Sequence, residues 1–137
     1  MAESDAMTLV FTDLVNSTGH LGSEIDDNEE KLFHIHHKLL TESVNAHGGR
    51  ELQWMGNGIL AGFASTSYAV KCAIAIQQAV RRPTEGLRLE IRIGVHFGEI
   101  RKQPSGYFGA ALNVARQLCN QATSGQILCT TTVVEMV

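Results

Sequence analysis

The sequence predicts an α+β domain, a ferredoxin-like βαββαβ sandwich, and three observations carry that prediction. Apolar residues recur at helical spacing in two long stretches, 24–47 and 65–82. The stretch "LRLEIRIGVHFGEI" (87–100) opens with strict apolar/charged alternation, the period of a half-buried strand. Between the helices, two apolar runs flank Gly56-Asn57-Gly58, an ordinary way to turn a strand back on itself. The order β-α-β-β-α-β, followed by α-β, is the split βαβ arrangement, with helices expected over one face of a mainly antiparallel sheet.

Each element has its own signal. "MTLVFTDL" (7–14) is a short β-rich run closing on an aspartate, and "VNSTGHLGS" (15–23) is small and polar, as in a loop. In the first helix Leu32, Phe33, Ile35, Leu39, Leu40 and Val44 form the apolar pattern, and His47-Gly48-Gly49 stops it. "RELQWM" (50–55) and "GILAGF" (58–63) are the hairpin strands. Ser65 is positioned to cap the second helix, whose apolar face is Ala69, Cys72, Ala73, Ile76, Ala79 and Val80, and Pro83 ends it. After the strand 87–100, "RKQPSGYFG" (101–109) reads as a loop with turn chemistry. A third helix (110–122), a last strand (125–130) and the start of a short helix (131–137) complete the chain.

Bulk properties bound the function. A chain of 137 residues suffices for one domain with a real core, hardly for two. A formal charge of −3 gives no electrostatic reason to expect nucleic acid or an anionic membrane as partner. No stretch approaches the roughly 18–20 apolar residues of a membrane helix, and "MAESDAMTLVF" is no signal peptide. Three widely spaced cysteines without CxxC pairing suit a reduced, cytoplasmic setting.

Four stretches, "LVFTDLVNSTG", "HGGRELQWMGNGILAGF", "RIGVHFGEI" and "YFGAALNVARQL", follow one another in an order and spacing that resembles the class III nucleotide cyclases. The resemblance covers roughly residues 7–137 and implies a single cyclase homology domain over 1–137, with the sandwich fold of that family. It also implies active sites formed between two domains in a head-to-tail dimer. One protomer supplies two aspartates for two Mg²⁺ ions, and the other supplies base-reading residues, an asparagine and an arginine. The reaction is in-line attack of the ribose 3′-oxygen on the α-phosphorus, which requires the triphosphate charge to be neutralised.

Carried over residue by residue, the resemblance places Asp13 at the first metal aspartate; a loop- or helix-capping role is its plain alternative. The loop behind it, Val15, Asn16, Ser17 and Thr18 up to Gly19, would offer backbone N–H groups to phosphates. Asn57 falls at the second metal aspartate. A neutral amide is a poor partner for hard Mg²⁺, although asparagine also serves a tight turn well. Gln53 stands where adenylyl cyclases carry a purine-reading lysine, and Gly106 where an acidic residue or threonine completes that contact. Asn113 matches the ribose-orienting asparagine. Gln117, one turn on and on the same helix face, replaces the transition-state arginine; Arg116 points about 100° away. Loss of one such electrostatic group costs on the order of 10²–10³ in rate. The family also has a triphosphate-contacting lysine in a hairpin beyond the last strand, a segment this sequence does not contain; a longer native chain and a missing group both remain open.

Other residues read more plainly. His34 and His37 of "HIHH" share a helical face, and solvated histidines are expected there rather than a metal site. His96, Trp54 and Tyr107 are expected to pack, as are Cys119 and Cys129 as small core residues.

The reading that results is a cyclase homology domain in intracellular signalling with an impaired active site. It would act as a regulatory or nucleotide-sensing homodimer, binding ATP or another nucleotide, with Mg²⁺ or Mn²⁺ held weakly or not at all. Regulatory or DNA-binding domains attached in a longer chain, and no direct contact with nucleic acid or membrane, are the expected partners. The alternative is an adenylyl cyclase converting ATP to 3′,5′-cyclic AMP and pyrophosphate through Asp13, Asn57 and Asn113. A diguanylate-type or polymerase-palm nucleotidyl transferase shares the topology but would need an acidic GGDEF-like hairpin that this chain lacks.

Overall fold

The computed structural model describes residues 3–15, 25–84 and 86–137. The elements are β1 (Glu3–Leu14), α1 (Ile25–Ala46), β2 (Arg50–Met55), β3 (Gly58–Phe63), α2 (Thr66–Val80), β4 (Ile91–Gln103), β5 (Gly106–Phe108), α3 (Ala110–Gln121), β6 (Ile127–Cys129) and α4 (Thr131–Met136). The strands form one sheet in the order β2-β3-β1-β4-β5, with β6 parallel to β4 and the other pairings antiparallel. This is the α+β architecture the element order predicts.

The helices do not all lie on one face, however. Val10 and Leu14 of β1 join α1 and α2 in one apolar cluster, whereas Met7, Leu9 and Phe11 join Ala111, Leu112, Ala115 and Cys119 of α3 in another. The reason is legible in β1, where adjacent residues Leu9 and Val10 are both fully buried. A strand apolar on both sides needs cover on both sides. Each fully buried aliphatic side chain contributes about 1.5–3 kcal/mol, so β1 is the strand around which both layers condense.

Glycine lets α3 sit close. A Cβ on Gly94 would fall 2.5 Å from the Ala115 carbonyl oxygen, and one on Gly98 would fall 2.6 Å from the Ala111 Cβ. Small residues on both elements thereby set the height of α3 above β4.

Several boundaries shift. β1 begins at Glu3 because the polar stretch before Met7 pairs with the far end of β4, Glu3 opposite Lys102. β4 begins at Ile91 rather than at residue 87, since Leu87 is tied back to Thr84 in an isolated bridge. The expected loop 101–109 is a hairpin turning at Pro104-Ser105, with Gln103 opposite Gly106. Ser65 caps α2 as expected, its Oγ accepting from the Tyr68 N–H at 3.2 Å.

The histidine and cysteine expectations need correction. His36 is fully buried, within the Leu32, Leu40 and Val44 stripe of α1, instead of solvated; His34 and His37 are exposed. Phe33 lies outside the core, and Cys129 is exposed, whereas Cys119 is buried. Sequence spacing locates a helix face but does not say which of three neighbouring histidines turns inward.

Candidate functional site

The candidate site starts where β1 ends. Asp13 lies opposite Arg92 in the β1–β4 ladder, and the Arg92 Nη2 donates to Asp13 Oδ2 at 2.5 Å. The same guanidinium donates through Nη1 to the Asn120 carbonyl at 3.1 Å, reaching the last turn of α3. Arg92 therefore ties the carboxylate to the helix above it. Sequence reading missed this residue. The signal was available: once β1 and β4 pair antiparallel, the charged residue of the alternating run falls beside Asp13.

The β2–β3 hairpin comes to the same point. Met55 pairs with Gly58, leaving Gly56-Asn57 as a two-residue turn in which Gly56 takes φ +56°. The Leu14 N–H donates to the Asn57 carbonyl at 2.8 Å, and the Ile59 N–H donates to Thr12 Oγ1 at 3.1 Å. A Cβ on Gly58 would fall 1.7 Å from the Thr12 carbonyl oxygen, so only glycine permits this approach. Backbone contacts thus bring Asp13 and Asn57 together, and the Asn57 residue is exposed at the turn.

The donor set does not fit a two-ion centre. One Asp13 oxygen is engaged by a guanidinium, its neighbour across the hairpin is a neutral amide, and hard divalent ions select charged oxygens. Among the described residues no group of three or more His, Cys, Asp or Glu is arranged to hold a metal ion.

The phosphate-loop expectation changes at Val15, whose N–H donates to the Glu90 carbonyl at 2.7 Å and so is not presented to a ligand. Asn16, Ser17 and Thr18 lie outside the described residues.

The two positions expected from the resemblance to read a base do meet. The Tyr107 N–H donates to Gln53 Oε1 at 3.4 Å, and a Cβ on Gly106 would fall 3.1 Å from that same oxygen. Gln53 fills the space a side chain at 106 would need. With its carbonyl turned to the backbone, the amide is left with donors to offer a ligand.

Asn113 and Gln117 are exposed on α3, opposite Leu112, Ala115 and Cys119, as helical spacing requires. Arg116 does not substitute for an arginine at 117: its Nη2 lies 3.4 Å from Met55 Sδ, with the guanidinium 5.6 Å from the Phe11 ring.

Burial sets the titrations around the site. His36 falls from 6.5 to about 4, through burial and then the His37 charge, opposed by Asp13. Neither of its ring nitrogens has a hydrogen-bond partner among the described residues. Trp54 stands edge-on to it at 6.2 Å and stacks on His37 at 4.1 Å, with its own Nε1 donating to Glu51 Oε1. Burial, reinforced by the Asp13 charge and opposed by Arg92, raises the Cys119 thiol to about 12, which makes it unreactive. His96, its pKa lowered by burial, lies 3.1 Å from Thr130 Oγ1, just past the end of β6.

No family model matches the chain. Among solved structures it is similar to an adenylate/guanylate cyclase/hydrolase from Silicibacter pomeroyi, at 28% identity and a TM-score of 0.79, covering 98% of this chain and 81% of that one. It is 35% identical to putative adenylate cyclase 3 of Rhizobium meliloti over 94 residues, 66% of this chain. The chain belongs to the class III nucleotide cyclase family. A serine/threonine-protein kinase of Myxococcus xanthus is also similar, 27% identical over 88% of the cyclase domain. The domain spans only 16% and 15% of those two relatives, respectively. No helix among the described residues is long and apolar enough to cross a membrane.

Proposed function

We propose that this cyclase homology domain is catalytically impaired and works as a dimerising, nucleotide-sensing module that regulates domains joined to it. The observation that carries the reading is the state of Asp13, the carboxylate expected to hold metal. It is paired with Arg92, and the second metal position beside it is the neutral Asn57. Gln117 adds a second deficit, because a neutral amide cannot balance charge on a reacting phosphate. Gln53 and Gly106 add a third, because the Gln53 carbonyl accepts from the Tyr107 N–H and Gly106 offers no side chain.

What the residues present can do is bind. Asn113 and Gln117 offer hydrogen bonds from an exposed helix face, and Gln53 offers amide donors to a base edge. Those contacts suit ATP or another nucleotide held between two copies in a homodimer. Bridged by ligand, two copies would report nucleotide occupancy without turning it over. The similarity to one segment of a much longer kinase supports a role in signalling beside other domains.

The second reading, an adenylyl cyclase with non-standard residues and Mg²⁺ or Mn²⁺, is favoured by the similarity to putative adenylate cyclase 3 and by the approach of Asn57 to Asp13. Sedimentation with and without ATP or GTP tests the first reading, which expects a weak dimer strengthened by nucleotide. A strict monomer at high micromolar concentration with ligand present would contradict it. Cyclic nucleotide formation separates the two readings.

A further inference from the structure

We propose that the cavity at the C-terminal end of α2 binds a free α-amino acid with a short apolar side chain, held through both its ammonium and its carboxylate. The cavity shares no side chain with the site at Asp13, so a ligand would enter it whether or not that site is impaired.

The cavity measures about 200 Å³, and Gln77, only 5% exposed, is part of its lining. Gln77 Nε2 donates to the Ile91 carbonyl at 2.8 Å and to the Gln126 carbonyl at 3.3 Å. Both amide protons are spent on backbone, and reversing the amide would set its oxygen against two carbonyls. The orientation is therefore fixed, and Oε1 is left buried with no donor among the described residues. A buried acceptor without a partner is costly, and a ligand N–H would remove that cost. The surroundings say which donor fits. Val80 and Arg81 place the cavity at the end of α2, where the last carbonyls and the helix dipole favour a cation. The Glu90 carboxylate also lines it, its Oε1 accepting from the Ser124 hydroxyl at 3.0 Å. An ammonium suits all of these acceptors.

Arg81 and Arg88 line the same cavity and are not ion-paired among the described residues. A guanidinium takes a carboxylate through two parallel hydrogen bonds, so the ligand that uses the whole lining also carries an anion. The remaining wall, Val80, Leu89 and Ile91, is apolar and buried, which suits a short branched side chain. A Cβ on Gly125 would meet nothing within 4 Å, which leaves that side open to entry. A simple anion would leave Gln77 and Glu90 unanswered, and a simple amine would leave the arginines. A zwitterion answers both.

The test is titration calorimetry of L-valine into the unmodified chain, where saturable binding in the millimolar range or tighter is expected. Two analogues of the same shape each remove one charge: isovalerate lacks the ammonium and isobutylamine lacks the carboxylate. Each is expected to bind at least about tenfold more weakly, for the loss of its charge-assisted contacts. Arg81→Ala combined with Arg88→Ala, both at exposed positions, should weaken L-valine by about the same factor. Gln77→Leu should remove binding; if that variant fails to fold, the analogues and the arginine variant decide. Absence of saturable L-valine binding to the unmodified chain overturns the proposal. So does either analogue binding as tightly as L-valine, or an unaltered L-valine affinity in the arginine variant or in folded Gln77→Leu.

Discussion

The two halves that a cyclase site would draw on are built differently in this chain. The metal half, where β1 meets the β2–β3 hairpin, is held by folding contacts: a glycine pressed on Thr12, two backbone-directed hydrogen bonds and an ion pair. The opposing half on α3 is an exposed helix face, where Asn113 and Gln117 bear no part of the core. The difference teaches how to read each departure. At the hairpin, backbone geometry persists for reasons of folding, so its survival says little about catalysis. On α3, nothing in the core requires either side chain, so the glutamine at 117, where the family resemblance leads one to expect an arginine, is free of folding constraint.

If that contrast is right, the largest stability loss comes from Gly58→Val. Its Cβ would overlap the Thr12 carbonyl, and displacement of the hairpin from β1 should cost about 3 kcal/mol or more in thermal unfolding. A near-normal melting temperature would show that the hairpin position is not fixed by this contact.

Next is acid sensitivity on the metal side. His36 is neutral and buried near Trp54, His37 and Asp13, with its folded pKa lowered to about 4 from 6.5. The unfolded chain binds the proton more readily, so stability is full above pH 6.5 and falls as pH drops towards 4. The slope is about 1.4 kcal/mol per unit within that window. His36→Leu should flatten this part of the profile, measured by denaturant unfolding at several pH values.

Gly106→Ala is expected to cost less, about 1–2 kcal/mol. Its φ of +136° disfavours any side chain and its Cβ would crowd Gln53. Adding Gln53→Ala should relieve the crowding but not the backbone strain, so the double variant recovers only part of the loss. Smallest of all, Asn113→Ala and Gln117→Ala should each stay within about 0.5 kcal/mol of the unmodified chain. A large loss from either would end the contrast between the halves.

Sequence pattern reached most of the fold because β1, α1, α2 and α3 are long and periodic, and because Gly56-Asn57-Gly58 is a strong turn. The family resemblance, not the pattern, implied that Asp13 lies near Asn57 and Gln53 near Gly106. What the pattern could not reach depended on which residues face each other across the sheet. Arg92 looked like one charge in an alternating strand until the register put it opposite Asp13. His36 looked like its neighbours until the helix phase buried it. The short β5 was hidden because three residues after Pro104-Ser105 carry too little pattern to announce a strand. Placing α3 on the second face required noticing that adjacent residues of β1 are both apolar.

The central claim, a cyclase domain whose site is impaired, is tested most directly by incubating the purified chain at dimer-forming concentration with Mn²⁺ and either ATP or GTP. The product is then measured by chromatography. The account predicts no 3′,5′-cyclic nucleotide above the protein-free control, while nucleotide still strengthens self-association. Sustained turnover by the unmodified chain, abolished in Asp13→Asn, would contradict it and establish the chain as a working cyclase.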